Sequence, residues 1–180
     1  CERIGSLYTQ MSPGPVEEVR AEYSGNLADD DSTPLTVALM AHGTEGAEVL
    51  AEVLAAELDD VAFFGIYDPE AVAEMAAAGV GAEVTVSLGG KLPMPALAEQ
   101  SKPLTVTGRV RLLSEGKFPA TVAMSRGLTM NMGLTAVLRV GGVDIVVISR
   151  HIEPFDPGCF RSLGIEATER RYLMLKSRMH

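Results

Sequence analysis

Residues Tyr67–Lys91 read YDPEAVAEMAAAGVGAEVTVSLGGK, and the fold turns on how they are parsed. Asp68 is suited to cap a helix, and Pro69 falls in its first turn, where a missing N–H costs nothing. Glu70 adds negative charge near the positive end of the helix dipole. Ala71, Val72, Met75 and Ala76 make one apolar stripe, Gly79 suits the left-handed residue that closes a helix, and Gly81 gives room to turn. Val84, Val86 and Leu88 then alternate with Glu83, Thr85 and Ser87, the pattern of a half-buried strand. Gly89-Gly90-Lys91 follows at the carboxyl end of that strand, where open α/β sheets usually bind ligands.

Working outward, Leu35 to Ala41 and Val61 to Tyr67 are compact apolar runs that read as buried strands. Between them a helix is expected over Ala47 to Leu58, burying Val49, Leu50, Val53, Leu54 and Leu58. Strand, helix, strand, helix, strand over residues 35–88 predicts an α/β layer. Further on, Leu104 to Leu113 alternates as a strand, and Phe118 to Met124 reads as another. Thr135 to Val140 and Val143 to Ser149, joined by Gly141-Gly142, read as a hairpin. Asp156-Pro157 opens a short helix ending near Gly164, and Tyr172 to Leu175 is a last short strand. The expected fold class is therefore α/β: a β-α-β-α-β half followed by a β-rich half, in a mixed sheet with a single core. Residues 1–34 hold Pro13, Gly14, Pro15, Gly25, three consecutive aspartates and Pro34. They read as an irregular leader or arm, leaving 35–180 as a single domain.

Composition bounds the function. Of 180 residues, 47% are apolar and 22% charged, close to globular averages, so disorder is not expected for most of the chain. A net charge of -9 disfavours nucleic acid and anionic membranes as partners, since both need a basic face. No apolar run reaches the ~18–20 residues of a membrane span, and no signal-peptide pattern opens the sequence. Two cysteines, Cys1 and Cys159, make no disulfide framework, so a reducing cytoplasm is the expected location. Cys1 reads more simply as an arbitrary chain start than as an N-terminal nucleophile or lipid anchor.

The chemistry-bearing residues are few. The turn from Ala41 to Gly46 joins a strand to a helix, so its N–H groups could hold a phosphate or carboxylate, although Thr44 reads more simply as the helix cap. It lacks the Gly-Lys-Ser/Thr ending of a Walker loop. His42 and Glu45 are two metal candidates without a third. His151, Glu153 and Asp156 form a second His/carboxylate group, read as a solvated loop. Lys176 and Ser177 are adjacent on a strand and point to opposite faces, which argues against a Ser-Lys dyad and for an anion-binding or structural Lys176.

Several blocks in order resemble the C-terminal domain of the microcystinase C (MlrC-like) family of zinc-dependent metallopeptidases. They are Ile66–Val72, Ala78–Ala82, Leu88–Lys91, Thr107–Val110, Gly133–Arg139, Phe160–Ile165 and Leu175–His180, together spanning roughly residues 60–180. The resemblance implies a domain that completes the substrate cleft of a zinc peptidase or amidohydrolase, with Gly89, Gly90, Lys91, Lys176, Ser177 and His180 binding substrate. It also implies that the zinc sits on a separate N-terminal domain or subunit, where a metal-bound water would do the hydrolysis. No metal site is expected in this chain itself, and no catalytic residue is assigned. The other implied partner is a peptide or amide substrate; self-association into a homo-oligomer is left open. In the family a glycine-rich loop precedes the first helix, whereas here Leu35 to Gly46 keeps only Gly43, Thr44 and Gly46. The chain thus resembles a fragment or a reduced relative. The alternative function is a stand-alone, non-catalytic binding or assembly module derived from that domain. An independent metal hydrolase on His42, Glu45 and His151 is the least supported reading.

Overall fold

The computed structural model describes residues 35–40, 46–91 and 102–177, with backbone alone at 35–40, 124, 176 and 177. Two strands buried on both faces organise it: β2 (Val61–Tyr67) and β8 (Val143–Ile148). Such unbroken apolar runs suit the interior of a parallel sheet, and these two do pair in parallel. Before β2 come β1 (Leu35–Met40) and α1 (Gly46–Ala55); after it come α2 (Pro69–Ala78), β3 (Glu83–Leu88) and β4 (Leu104–Ser114). The second half adds β5 (Lys117–Pro119), β6 (Thr129–Asn131), β7 (Thr135–Val140), α3 (Gly158–Arg161) and β9 (Tyr172–Ser177). One sheet runs β1-β9-β2-β8-β7-β4-β3, and β5 and β6 form a separate ribbon.

The α/β class and the mixed sheet are as expected, and several local expectations hold. Asp68 caps α2, and Thr135–Val140 and Val143–Ile148 form the Gly141-Gly142 hairpin. Three details differ. α1 stops at Ala55, because the chain turns out through Glu57 at a φ of 51°. Gly79 has a φ of 88° and a ψ of 164°, a glycine conformation that leaves the helix without a left-handed cap. The stretch 118–124 yields only the end of a three-residue strand and a 3-10 turn at Ala123–Ser125.

Topology departs further. β9, the last strand in sequence, inserts between β1 and β2 and pairs in parallel with both. β3 is not beside β2 but at the far edge, antiparallel to β4. Cross-strand register puts Glu83, Arg109, Arg139, Asp144 and Ala62 in one row. From that row β3 and β2 run in opposite directions along the register. In a flat sheet Gly89 and Asp68 would stand about a dozen residues apart, roughly 40 Å at 3.3 Å per residue. Yet the Gly89 N–H donates to Asp68 Oδ2 at 3.0 Å. The β3–β4 arm therefore curls back over the helices. It bends at the bulge between Val110 and Leu112, next to Gly108, whose added Cβ would lie 2.5 Å from the Arg139 carbonyl oxygen.

The curl buries α1 and α2 between sheet and arm. Val49, Leu50 and Val53 of α1 and Ala71, Val72 and Met75 of α2 pack with Phe63, Leu138 and Ile145 of the sheet and with Val86, Leu88 and Val106 of the arm. On the other face Ala62, Phe64, Val137, Val146 and Ile148 pack against Phe118, Met132, Phe160 and Leu163. Each such side chain, fully buried, contributes on the order of 1.5–3 kcal/mol. A second bulge, between Phe64 and Ile66, inverts the alternation of β2. Ile66 consequently joins the helix face and Tyr67 the opposite one.

At the amino edge of the parallel strands, Asp144 is fully buried beneath three guanidinium groups. Arg139 approaches it through Nε at 2.5 Å and Nη2 at 2.7 Å, Arg170 through Nη2 at 3.0 Å, and Arg111 through Nη1. Arg170 also binds Asp60, whose other oxygen accepts the Arg171 N–H and whose carbonyl accepts the Tyr172 N–H. This network ties the start of β9 to the start of β2. Removing one member of a buried charged network leaves the others uncompensated, which typically costs 3–5 kcal/mol. Asp144→Asn should therefore lower the free energy of unfolding by about 3 kcal/mol or more in urea denaturation; a loss below about 1 kcal/mol would show the network to be dispensable.

Candidate functional site

The parallel strands β1, β9, β2 and β8 all end at one edge of the sheet, and most of the candidate residues gather along it. The best-defined part is built on Asp68, which is 3% exposed. Its Oδ1 accepts the Ala71 N–H at 3.0 Å as the cap of α2, and its Oδ2 accepts the Gly89 N–H at 3.0 Å. The Lys91 ammonium sits 3.0 Å from the same carboxylate and 3.5 Å from Glu70. One buried side chain thus closes the end of β2, the start of α2 and the turn after β3.

Both glycines of that turn are needed by the backbone. Gly89 and Gly90 have φ values of 63° and 62°, and a Cβ on Gly90 would lie 2.6 Å from the backbone of Lys102 and Pro103. Lys91 stands at the rim, but its charge is already matched by Asp68 and Glu70. A substrate carboxylate must share or displace that pairing to bind it. Lys176 and Ser177 end β9 level with Leu39 and Met40 of β1, so the backbone brings them to this edge. His180, His42 and Glu45 lie outside the described residues.

The His151, Glu153 and Asp156 group resolves into separate parts. His151 is exposed and stacks on Tyr67, with ring centroids 4.1 Å apart and planes 19° apart. Asp156 corrects the expectation of a solvated loop, because it is buried. It accepts the N–H groups of Thr121, Val122 and Gly158 and the Thr121 hydroxyl, tying the β5–β6 ribbon to the start of α3. Burial pushes its carboxyl up, but these four donors together hold it below the usual value. Cys159 beside it is buried, which pushes its thiol up to about 12 and leaves it inert as a nucleophile.

Sequence reasoning found Asp68 as a cap and missed it as a clamp. The available signal was that a cap uses one carboxylate oxygen, leaving the other for a donor brought in by the fold. Nothing in the spacing of Tyr67 and His151 pointed to their stack.

Residues 43–180 match the family described as the MlrC C-terminus. The chain belongs to that family. Over 112 residues it is 30% identical to Microcystinase C of Sphingomonas sp., a match covering 62% of this chain and 20% of that protein. It shares its fold with a candidate metallopeptidase from Mesorhizobium sp. BNC1 at a TM-score of 0.70 and 21% identity, over 87% of this chain and 32% of the other. This MlrC C-terminal domain therefore spans between a fifth and a third of the length of these two relatives.

The zinc implied by the family resemblance does not fit the described residues of the domain. No three His, Cys, Asp or Glu side chains among them could hold a metal ion together. Its buried aspartates are occupied otherwise: Asp68 by two N–H groups and a lysine, Asp144 by three arginines, Asp156 by backbone donors.

Two outcomes are expected for the MlrC C-terminal domain. Asp68→Ala leaves the Gly89 N–H without its acceptor and Lys91 without its buried partner. Amide exchange at Gly89 should accelerate by at least tenfold with a loss of about 1–3 kcal/mol in stability; unchanged exchange would refute the clamp. Asp156 has a carboxyl held below its unfolded value, so its contribution is full above about pH 4 and fades as pH falls through the lower folded value. Melting scans from pH 7 to 2 should show Asp156→Asn destabilised at neutral pH, with the gap from wild type narrowing below about pH 4. A gap that stays constant to pH 2 would contradict this.

Proposed function

We propose that this MlrC C-terminal domain completes the substrate cleft of a zinc-dependent peptidase or amidohydrolase of the microcystinase C type, whose metal is held by another domain or subunit. The observation that carries the reading is the Asp68 clamp. It fixes Gly89-Gly90-Lys91 at the carboxyl edge of the parallel strands, where the end of β9 brings Lys176 and Ser177. That edge is the usual binding place in open α/β folds. The resemblance to Microcystinase C supplies the class of reaction.

In this reading the domain binds and orients. Lys91, released in part from Asp68, pairs with a carboxylate of a peptide or amide substrate and returns to Asp68 when the product leaves. The paired state of Lys91 also favours a second reading, a stand-alone binding or assembly module with no part in catalysis.

One experiment separates the two. The purified domain is first assayed for zinc, which should be well below stoichiometric; a full equivalent would place the metal in this chain and overturn the proposal. It is then combined with Sphingomonas Microcystinase C lacking the stretch this chain matches, and hydrolysis of linear peptide amides is followed. Restored hydrolysis that falls by about tenfold or more in kcat/KM for Lys91→Ala, the scale of losing one charge-assisted contact, supports the proposal. No restored hydrolysis, together with saturable ligand binding to the domain alone, would leave the module reading in its place.

A further inference from the structure

β3 is the outermost strand of the main sheet at the end away from β1, and β4 is its one neighbour among the described strands. The bonds at its start fix which of its groups face which way. Val110 receives the Gly81 N–H on its carbonyl at 2.7 Å and donates its own N–H to the Ala82 carbonyl at 2.9 Å, so Ala82 and Val110 stand as a bonded pair. Bonded pairs alternate along an antiparallel ladder, so Val84, Val86 and Leu88 turn their N–H and carbonyl groups to β4. Those of Glu83, Thr85 and Ser87 point out of the sheet. The side chains agree, because pairs without backbone bonds approach most closely. The Thr85 and Thr107 hydroxyls lie 2.8 Å apart, and those of Ser87 and Thr105 3.1 Å.

Among the described residues, these outward backbone groups of Glu83, Thr85 and Ser87 have no partner. Glu83 and Thr85 are exposed, and Ser87 is half-buried. The row is nevertheless occupied at one end. Gly89 continues the alternation, and its N–H lies 3.0 Å from Asp68 Oδ2, on the carboxylate that also holds the Lys91 ammonium at 3.0 Å. The open edge of β3 therefore leads into the candidate site. An unpaired strand edge is a template for another extended chain, whose main-chain groups complete the ladder.

We infer that the open edge of β3 takes the substrate peptide as an added strand, with a carboxylate at the end nearest Gly89 brought to Lys91. This deepens the proposed function and rests on it for the identity of the occupant. Bonding to Glu83, Thr85 and Ser87 uses about five extended residues, roughly 17 Å of chain. A linear peptide fits this edge, and one folded on itself does not. Main-chain bonds supply the hold while carrying no side-chain information, so selectivity on this side falls to Lys91. A second copy of the chain is the weaker fit. The strand has six residues, opens on the charged Glu83 and lies on a curled arm, all of which hinder edge-to-edge pairing.

The probe for the test is the acetylated hexapeptide Thr-Val-Thr-Val-Thr-Glu, whose terminal glutamate sets its register against Lys91. In the free chain, amide exchange should be fast at Glu83, Thr85 and Ser87 and slow at Val84, Val86 and Leu88, and the peptide should slow the first set. Two forms of the peptide, N-methylated at one or the other alternate set of residues, should differ. One should bind about tenfold or more weaker and the other like the parent, since only one set of amides faces the strand. Thr85→Pro removes an outward donor and spares the bonds to β4, so the melting temperature should change little while peptide affinity falls about tenfold or more. In hydrolysis reconstituted with Sphingomonas Microcystinase C lacking the matched stretch, the same variant should raise KM and leave kcat. Hydrolysis that depends on Lys91 but is indifferent to Thr85→Pro overturns the added strand and leaves the proposed function standing. Peptide binding of the expected pattern without reconstituted hydrolysis does the reverse. No peptide binding, equal loss with both methylated forms, or self-association of the chain that Thr85→Pro abolishes, overturns the inference.

Discussion

The carboxylate of Asp68 holds together three elements that the backbone alone would let drift. It stops β2, starts α2 and receives the returning end of β3, and the carboxylate that makes these bonds is itself buried. Because the Gly89 and Lys91 contacts lie far from Asp68 along the sheet register, they also lock the curl of the β3–β4 arm. The arm in turn shuts α1 and α2 into the larger apolar cluster. Loosening that one carboxylate would release both the candidate turn and one wall of the core.

Two other buried aspartates repeat the device elsewhere. Asp144 gathers Arg111, Arg139 and Arg170 at the amino edge and thereby positions β9 between β1 and β2. Asp156 gathers backbone donors and fastens the β5–β6 ribbon beside α3. In an acidic chain these three side chains act as internal ties rather than as surface charge. Having spent their oxygens on donors, they are not available as metal ligands. A zinc ion bound to this chain would need ligands other than these.

Much of the candidate edge could be read before the fold was known. Gly89-Gly90-Lys91 followed from an alternating strand that ends in turn formers, and the helix start from Asp-Pro-Glu, because capping and φ preferences act over three or four residues. The pairing of Lys91 with Asp68, the burial of Asp156 and the stack of His151 on Tyr67 could not be read. Each joins residues from different elements, and no local pattern encodes which carboxylate will be covered. Asp156 in particular shared its reading with Glu153 three residues earlier, yet the fold leaves one partly exposed and buries the other.

By itself the sequence determined the elements and the class: helices where apolar residues recur every three or four positions, strands where they alternate, and a hairpin at Gly141-Gly142. These follow from interactions within a few residues, so they are written in local order. Tertiary structure alone decided that β9 enters the middle of the sheet and that β3 lies at its far edge. It also inverted the faces of β2 after Phe64 and brought Tyr67–Lys91 back on itself. Those choices rest on contacts between residues distant in sequence, chiefly the carboxylates of Asp68 and Asp144. Such contacts exist only once burial has made an unpaired charge too costly to leave alone.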